Sequence, residues 1–302
     1  MGTPDFAVPS LHILVENRYD IVTVVTVPDT QAGRGQVMTA SPVKEFAVKY
    51  NLPFYQPEKL KDVQCVSTLR SLQPDLFVVV AFRILPAELF AVPKLGAFNL
   101  HASLLPKFRG AAPINWAIMR GERETGVTTF FLQESVDTGS VILQARVPIE
   151  ENETAGEVHD KLAAIGAEIV LHTVRLIEAG KANPKAQENS LATPAPKIFK
   201  NDCRVNWQRA TAEVHNHIRG LSPRPGAFTM HGKTTLKLYR SRQVSIQTDA
   251  VAGTILQSDT QLLVSTSSGA IEILEIQQEG KRRLSAGEFL RGYPLQAGEQ
   301  FQ

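Results

Sequence analysis

Asn99 and His101 stand two residues apart in the run G-A-F-N-L-H over 96–101, an apolar stretch of strand length. In a strand, alternation sends their side chains to one face and those of Phe98 and Leu100 to the other, where a helix can cover them. Both polar residues fall at the strand's carboxyl end, the place where open α/β sheets bind ligands. There an amide and an imidazole side by side can donate hydrogen bonds to one oxygen as it becomes negative. The same spacing also allows a plainer arrangement in which the two side chains only satisfy loop backbone groups.

The elements that must hold this pair follow from the flanking sequence. The chain has 302 residues, enough for two domains, with 43% hydrophobic and 21% charged residues. No apolar run reaches the roughly 18 residues of a membrane span, and no basic-then-apolar leader opens the chain. Cys65 and Cys203 form no metal-ligand or redox pattern, Cys65 reading as a small core residue, and such usage fits a reducing cytosol, so a cytoplasmic protein is expected. Nucleotide-binding glycine motifs, a phosphate loop and zinc spacing are lacking, and no metal is expected. Ile21–Val27 and Leu76–Ala81 read as buried strands, and Pro53–Tyr55 as a short one. Ser41 caps a helix that has Pro42 at its first position and stops near Asn51, and Glu58–Leu72 is a further helical stretch. This β-α-β-α order predicts a parallel sheet.

Beyond Pro113, which starts a helix, the pattern changes. Val127–Leu132 and Val141–Ile149 read as strands in a hairpin-like connection through 135–139. Thr154 and Glu157 form a capping box for a long helix ended by Gly180. Lys181–Pro196, polar and proline-containing, reads as an exposed linker. Ala212–Leu221 is helical. Leu236–Tyr239, Gly253–Gln257, Leu262–Ser265 and Ala270–Ile276 are short strands, and Ser285 with Glu288 caps a terminal helix. The expected fold is α/β: a Rossmann-like, mostly parallel sheet over 1–180, a linker over 181–199, and a small OB-like β-barrel over 200–302. Between Lys197 and Ser245, ten Lys or Arg face only Asp202 and Glu213. Such a basic segment suits a polyanionic partner, although a solvated face would give the same count.

The segment N-L-H-A-S-L-L-P-K-F-R-G over 99–110, with the later Asp137-Thr138-Gly139, resembles the signature of the folate-dependent formyltransferases. The resemblance implies that Asn99 polarises the formyl oxygen of 10-formyltetrahydrofolate, that His101 stabilises the tetrahedral intermediate and relays a proton, and that Asp137 orients His101 and a water. It implies that Ser103, Leu104, Leu105 and Pro106, with Phe82, Ile84 and Leu85, line the folate pocket. Taken alone, Asp137 could equally be a turn aspartate.

Three further features resemble the branch of this family that formylates the initiator methionyl-tRNA: the opening M-G-T-P-D-F-A-V-P-S, the loop P-D-T-Q-A-G-R-G-Q followed by S-P-V-K, and the length and order of the linker and C-terminal third. They imply that Arg34, between two glycines, reaches the end of the acceptor stem, and that Lys233, Lys237 and Arg240 are RNA-binding candidates, through salt-dependent phosphate contacts. A monomer that does not engage membranes is expected. The sequence departs from the family at Gln36-Val37, where basic residues are frequent, and at Arg83, which could meet folate, a substrate phosphate or an ion-pair partner. Family members also carry a central first strand before the Met-Gly-Thr-Pro motif, so an upstream start is expected; without it, a gap of one strand width, about 4.8 Å, would separate Ile21–Val27 from Leu76–Ala81. A formyltransferase acting on a nucleotide-linked amino-sugar, and an RNA-binding protein with an idle folate fold, are the competing readings.

Overall fold

The computed structural model describes all residues except 33–36. In chain order the strands are β1 (Val24–Val25), β2 (Thr30–Ala32), β3 (Val37–Thr39), β4 (Phe54–Tyr55), β5 (Phe77–Val80), β6 (Ala97–His101), β7 (Glu124–Phe131), β8 (Val141–Pro148), β9 (Ala227–His231), β10 (Thr234–Val244), β11 (Ile255–Gln257), β12 (Leu262–Thr266), β13 (Gly269–Gln278) and β14 (Leu284–Ser285). The helices are α1 (Val8–Glu16), α2 (Pro42–Lys49), α3 (Val63–Ser71), α4 (Ala87–Phe90), α5 (Pro113–Met119), α6 (Ala155–Glu178), α7 (Thr211–Gly220) and α8 (Ala286–Gly292). The chain forms two compact units. One comprises 1–110, 126–147 and 159–194; the other comprises 111–125, 148–158 and 195–302.

In the first unit β5 and β6 run parallel, Phe77 opposite Ala97 through Val80 opposite Leu100. β7 then runs antiparallel to β6, with Asn99 opposite Phe130 and His101 opposite Thr128, and β8 lies beyond it. The sheet is therefore mixed: parallel where the sequence alternates strand and helix, reversed after β6. Ser41 caps α2 as expected, its hydroxyl accepting from the Lys44 amide. The helix expected from Glu58 begins only at Val63, where Asp62 caps it by accepting from the Gln64 amide. On α6, Glu157 accepts from the Thr154 amide at 2.8 Å and the Thr154 hydroxyl accepts from the Glu157 amide at 3.4 Å, a reciprocal capping box.

The strand expected over Ile21–Val27 is reduced to Val24–Val25, paired in parallel with β4. Among the described residues β1 and β5 do not pair. Met1 and Gly2 lie between them: the Gly2 amide donates to Val25, Val80 donates to the Met1 carbonyl, and the Met1 amino group donates to Val78. Beside them is an apolar cavity of about 130 Å³ lined by Ile21, Thr23, Leu76 and Val78 among others.

The second unit is built on an antiparallel sheet in the order β11-β12-β13-β10-β9, with β14 paired to β13. Its core joins Trp207, Leu236, Leu238, Ile271 and Ile273 to Val214 and Ile218 of α7. Register shifts between Leu238 and Arg240 and between Arg240 and Ser241 interrupt the β10–β13 ladder, and such irregularities increase strand twist. β9 and β14 were not foreseen: Ala227–His231 follows a Pro-Arg-Pro-Gly turn and lacks clean alternation, and β14 is only two residues long.

Candidate active site

β6 places both polar residues by its pleat. Phe98 and Leu100 are fully buried on one face. Leu100 meets α6 at Gly166, where a Cβ would lie 2.7 Å from a Leu100 methyl, so the helix approaches closely only because that residue is glycine. On the other face His101 is buried and Asn99 half-buried. His101 Nε2 lies 2.9 Å from the Phe108 carbonyl. A carbonyl only accepts, so Nε2 carries the proton, and Nδ1 is the proton-free nitrogen of the neutral ring. That nitrogen faces Asp137 Oδ2 at 3.8 Å, too far for a direct hydrogen bond. The same carboxylate oxygen accepts from the Gly110 amide at 2.9 Å. Among the described residues the Asn99 side chain makes no hydrogen bond, so its donors remain available.

Asp137 sits at φ +56°, a left-handed conformation that aspartate tolerates better than most residues. Two residues on, a Cβ on Gly139 would fall 1.6 Å from the Phe131 carbonyl oxygen. The Asp-x-Gly spacing thus has a local cause: the glycine lets the turn close against β7, and the turn aims the aspartate.

The loop after β6 is held from below. Thr128 Oγ1 donates to the Ser103 carbonyl at 2.7 Å and accepts from the Leu105 amide at 3.1 Å and from Gln144 Nε2 at 2.9 Å. Ser103 is fully buried, and its hydroxyl donates to the Lys107 carbonyl. Leu105 is buried, whereas Leu104 and Pro106 are half-buried. In the 82–85 segment, Leu85 belongs to a core that includes Cys65, Leu89 and Phe77, Phe82 packs against it, and Ile84 is 74% exposed. Burial pushes the Cys65 thiol up, so it stays protonated. Arg83 donates to the Pro57 and Glu58 carbonyls at 2.7 and 2.9 Å and lies over the Phe82 ring; among the described residues it is held by backbone hydrogen bonds and not by an ion pair.

The sequence reading missed a set of partners downstream. Gln187 Nε2 donates to the carbonyls of Asp137 and Gly139 at 2.9 and 2.8 Å. Arg109 donates to Gln187 Oε1 through Nε and Nη2 and to Asn189. Thr193 accepts from the Phe108 amide through its hydroxyl and from Arg109 through its carbonyl. Gln187 and Thr193 lie in the stretch read as an exposed linker. Polar composition alone could not separate a linker from a segment whose polar side chains face other backbone.

The four RNA candidates fare differently. Arg34 lies outside the described residues. Lys233 is exposed at the turn between β9 and β10. Lys237 donates to the Pro225 carbonyl at 3.2 Å. Arg240 pairs with Glu157 at 2.6 Å and lies 3.7 Å from Glu275. Nearby, Arg242 pairs with Glu272, and Arg283 pairs with Glu275 while lying over the Tyr239 ring. Burial raises the Glu157 carboxyl, but the Thr154 amide and hydroxyl and the Arg240 guanidinium outweigh it and hold it down at about 2. Burial pushes the His215 and His217 imidazoles down. No helix among the described residues is long and apolar enough to cross a membrane, and none of their His, Cys, Asp and Glu side chains gather in a group of three or more able to hold a metal.

A strand-end amide and imidazole, with a carboxylate on the facing turn, can donate hydrogen bonds to an oxygen that becomes negative. The formyl transferase family model matches residues 1–174, and the model of the formyl transferase C-terminal domain matches 197–294. The chain belongs to the formyltransferase family. It is 46% identical over 308 residues to the methionyl-tRNA formyltransferase of Bacteroides thetaiotaomicron, covering 99% of this chain and 96% of that protein. It is 43% identical over 300 residues to the enzyme of that name from Clostridioides difficile, covering 99% and 97%. Among solved structures, an N-formyltransferase from Helicobacter canadensis in complex with folinic acid and dTDP-3-aminofucose shares the fold at a TM-score of 0.67 and 22% identity, covering 90% of this chain and 96% of that one.

Proposed function

We propose that the chain transfers a formyl group from 10-formyltetrahydrofolate to the α-amino group of initiator methionyl-tRNA, in the cytoplasm and as a monomer, for translation initiation. The observation that carries the catalytic part is the unbonded Asn99 amide beside a His101 whose Nε2 is already committed to the Phe108 carbonyl. The folate supplies an activated formyl carbon. The Asn99 amide donates to the formyl oxygen as the amine attacks and negative charge grows there. The N–C bond to the substrate amine forms, and the bond from the formyl carbon to the folate nitrogen breaks. His101 Nδ1 takes the proton lost by the attacking amine, and the departing folate nitrogen gains one in return. Asp137 lies 3.8 Å from Nδ1, a separation that a bridging water can span, and orients the imidazole. Half-buried Leu104 and Pro106 and exposed Ile84 offer apolar edges to the folate ring, with Ser103, Leu105, Phe82 and Leu85 shaping the pocket behind them.

The tRNA part of the reading places catalysis in 1–180, a connection in 181–199 and RNA binding in 200–302. We read the twisted sheet of the second unit as an OB-like barrel. Lys233 is the most open of the candidates there, Lys237 and Arg240 are partly engaged, and Arg34 is assigned to the acceptor end. The high identity to curated methionyl-tRNA formyltransferases over nearly the full chain supports this substrate over a nucleotide-linked amino-sugar.

One assay decides among the readings. The protein is incubated with 10-formyltetrahydrofolate and either charged initiator tRNA or a nucleotide-linked amino-sugar, and formyl transfer is measured. Transfer to the tRNA is expected. Transfer to the sugar alone defeats the tRNA assignment, and tRNA binding without any turnover defeats the enzymatic one. Arg34→Ala is expected to impair use of tRNA while sparing slow folate hydrolysis; equal loss in both removes its assigned role.

A further inference from the structure

We propose that Gln187, in the stretch that the sequence presents as a linker, is a positioning residue of the active site, holding the Asp137 carboxylate in place opposite His101. The inference rests on the catalytic assignment above and assigns a role to a residue outside the signature.

The geometry is a chain of bonds with little freedom left in it. Gln187 Nε2 spends its two hydrogens on the carbonyls of Asp137 and Gly139, on either side of Thr138. Its Oε1 is fixed by two donors of one guanidinium, Arg109 Nε at 3.1 Å and Nη2 at 2.7 Å, and Arg109 is further held by Asn189. Both ends of the amide are therefore specified, and so is its orientation: a flipped amide would point oxygen at two carbonyls and NH₂ at a cation. Asp137 needs such support because it occupies a left-handed backbone conformation at φ +56°. With the Asp137 carbonyl held by Gln187 and its Oδ2 held by the Gly110 amide, the carboxylate has one direction in which to face, and His101 Nδ1 lies there.

Arg109 and Gly110 also follow Phe108, whose carbonyl holds His101 Nε2. Phe108 itself sits at φ +60°, costly for a bulky residue, and its amide is held by the Thr193 hydroxyl at 2.9 Å. The segment 187–193 thus braces both partners of the His–Asp pair, Asp137 through Gln187 and His101 through Thr193. A uniform water-facing linker would leave these hydroxyl and amide groups unconstrained.

Gln187→Met keeps length and volume and removes all four hydrogen bonds; Gln187→Glu keeps the acceptor for Arg109 and removes the donors. Two readouts separate positioning from general stability. The first needs no substrate: hydrogen exchange at the Gly110 amide, which is bonded to Asp137 Oδ2, is expected to quicken by at least about tenfold in both variants, while exchange in the β5–β6 core is unchanged. The second is formyl transfer: kcat is expected to fall by about tenfold or more with KM for folate within about twofold. In an Asp137→Ala background, measured under single turnover, Gln187→Met is expected to add less than a twofold loss, because the group it positions is gone. Unchanged Gly110 exchange overturns the proposal whatever the substrate proves to be. An equal fold-loss in both backgrounds, or a loss confined to melting temperature, overturns it as well. Should Gln187→Met not fold, Gln187→Glu carries the same comparison. If Gly110 exchange responds and no formyl transfer occurs even in the unsubstituted protein, the brace stands and the catalytic assignment falls.

Discussion

The turn that carries Asp137 and the strand that carries Arg240 both hold a charged residue singled out from the sequence, yet they use it differently. Asp137 is aimed: its carbonyl is bonded, and the carboxylate oxygen held by the Gly110 amide is the one that faces the imidazole. Arg240 is matched: Glu157 and Glu275 take its charge. On the proposed assignment, a charge prepared for chemistry is supported through backbone groups, leaving its field uncancelled, whereas a charge met by opposite charges has its field spent locally. A count of Lys and Arg along the chain registers both alike.

This contrast can be tested in order of expected effect. Asn99→Ala removes a donor that supports nothing else in the fold, so turnover is expected to drop by at least about a hundredfold, roughly 3–4 kcal/mol of barrier, with an unchanged melting temperature. A parallel loss of stability would show that Asn99 is structural. Gly139→Ala, which forces a methyl onto the Phe131 carbonyl, is expected to cost about 1–3 kcal/mol of stability by urea titration and to abolish the Asp137 geometry with it. A stable Gly139→Ala protein of normal activity would mean that the turn's shape is unimportant.

On the basic side, Lys233→Ala is expected to lower the slope of log K for tRNA against log salt by about 1, and Arg240→Ala to lower it by clearly less. Equal slopes in the two variants would break the distinction between an open and a matched cation. The smallest effect concerns acid. The Glu157 carboxyl is held at about 2 in the folded chain against an ordinary 4.5, so its contribution is complete above about pH 4.5 and is lost as pH falls toward 2. Because the side chain is nearly half exposed, screening limits this to about 1 kcal/mol or less. Glu157→Gln is expected to flatten the stability profile in that window and to lower stability by that constant amount above it.

What could be read in the sequence follows the same division. The β6 pleat, the α2 cap, both capping boxes and the Asp-x-Gly turn rest on residues within a few positions of one another, and local spacing reports them well. The reversal of β7 is not local: after β6 the chain passes through 111–125, which belongs to the other unit, and re-enters in the opposite sense. Glu157 and Glu272 neutralise arginines 83 and 30 positions away, invisible to any window of the sequence. Gln187 acts 50 positions from the carbonyl it binds, and nothing in its surroundings marks it out.

The alternation of β6 also bears on quality control in the cell. Sliding this strand by one residue against β5 would turn an amide and an imidazole into the packed interior and take Phe98 and Leu100 out of it. Such a chain loses its core at once and is cleared as unfolded instead of persisting as an inert look-alike. A molecule of this protein that survives proteolysis has therefore kept the register that puts its two strand-end polar groups on one face.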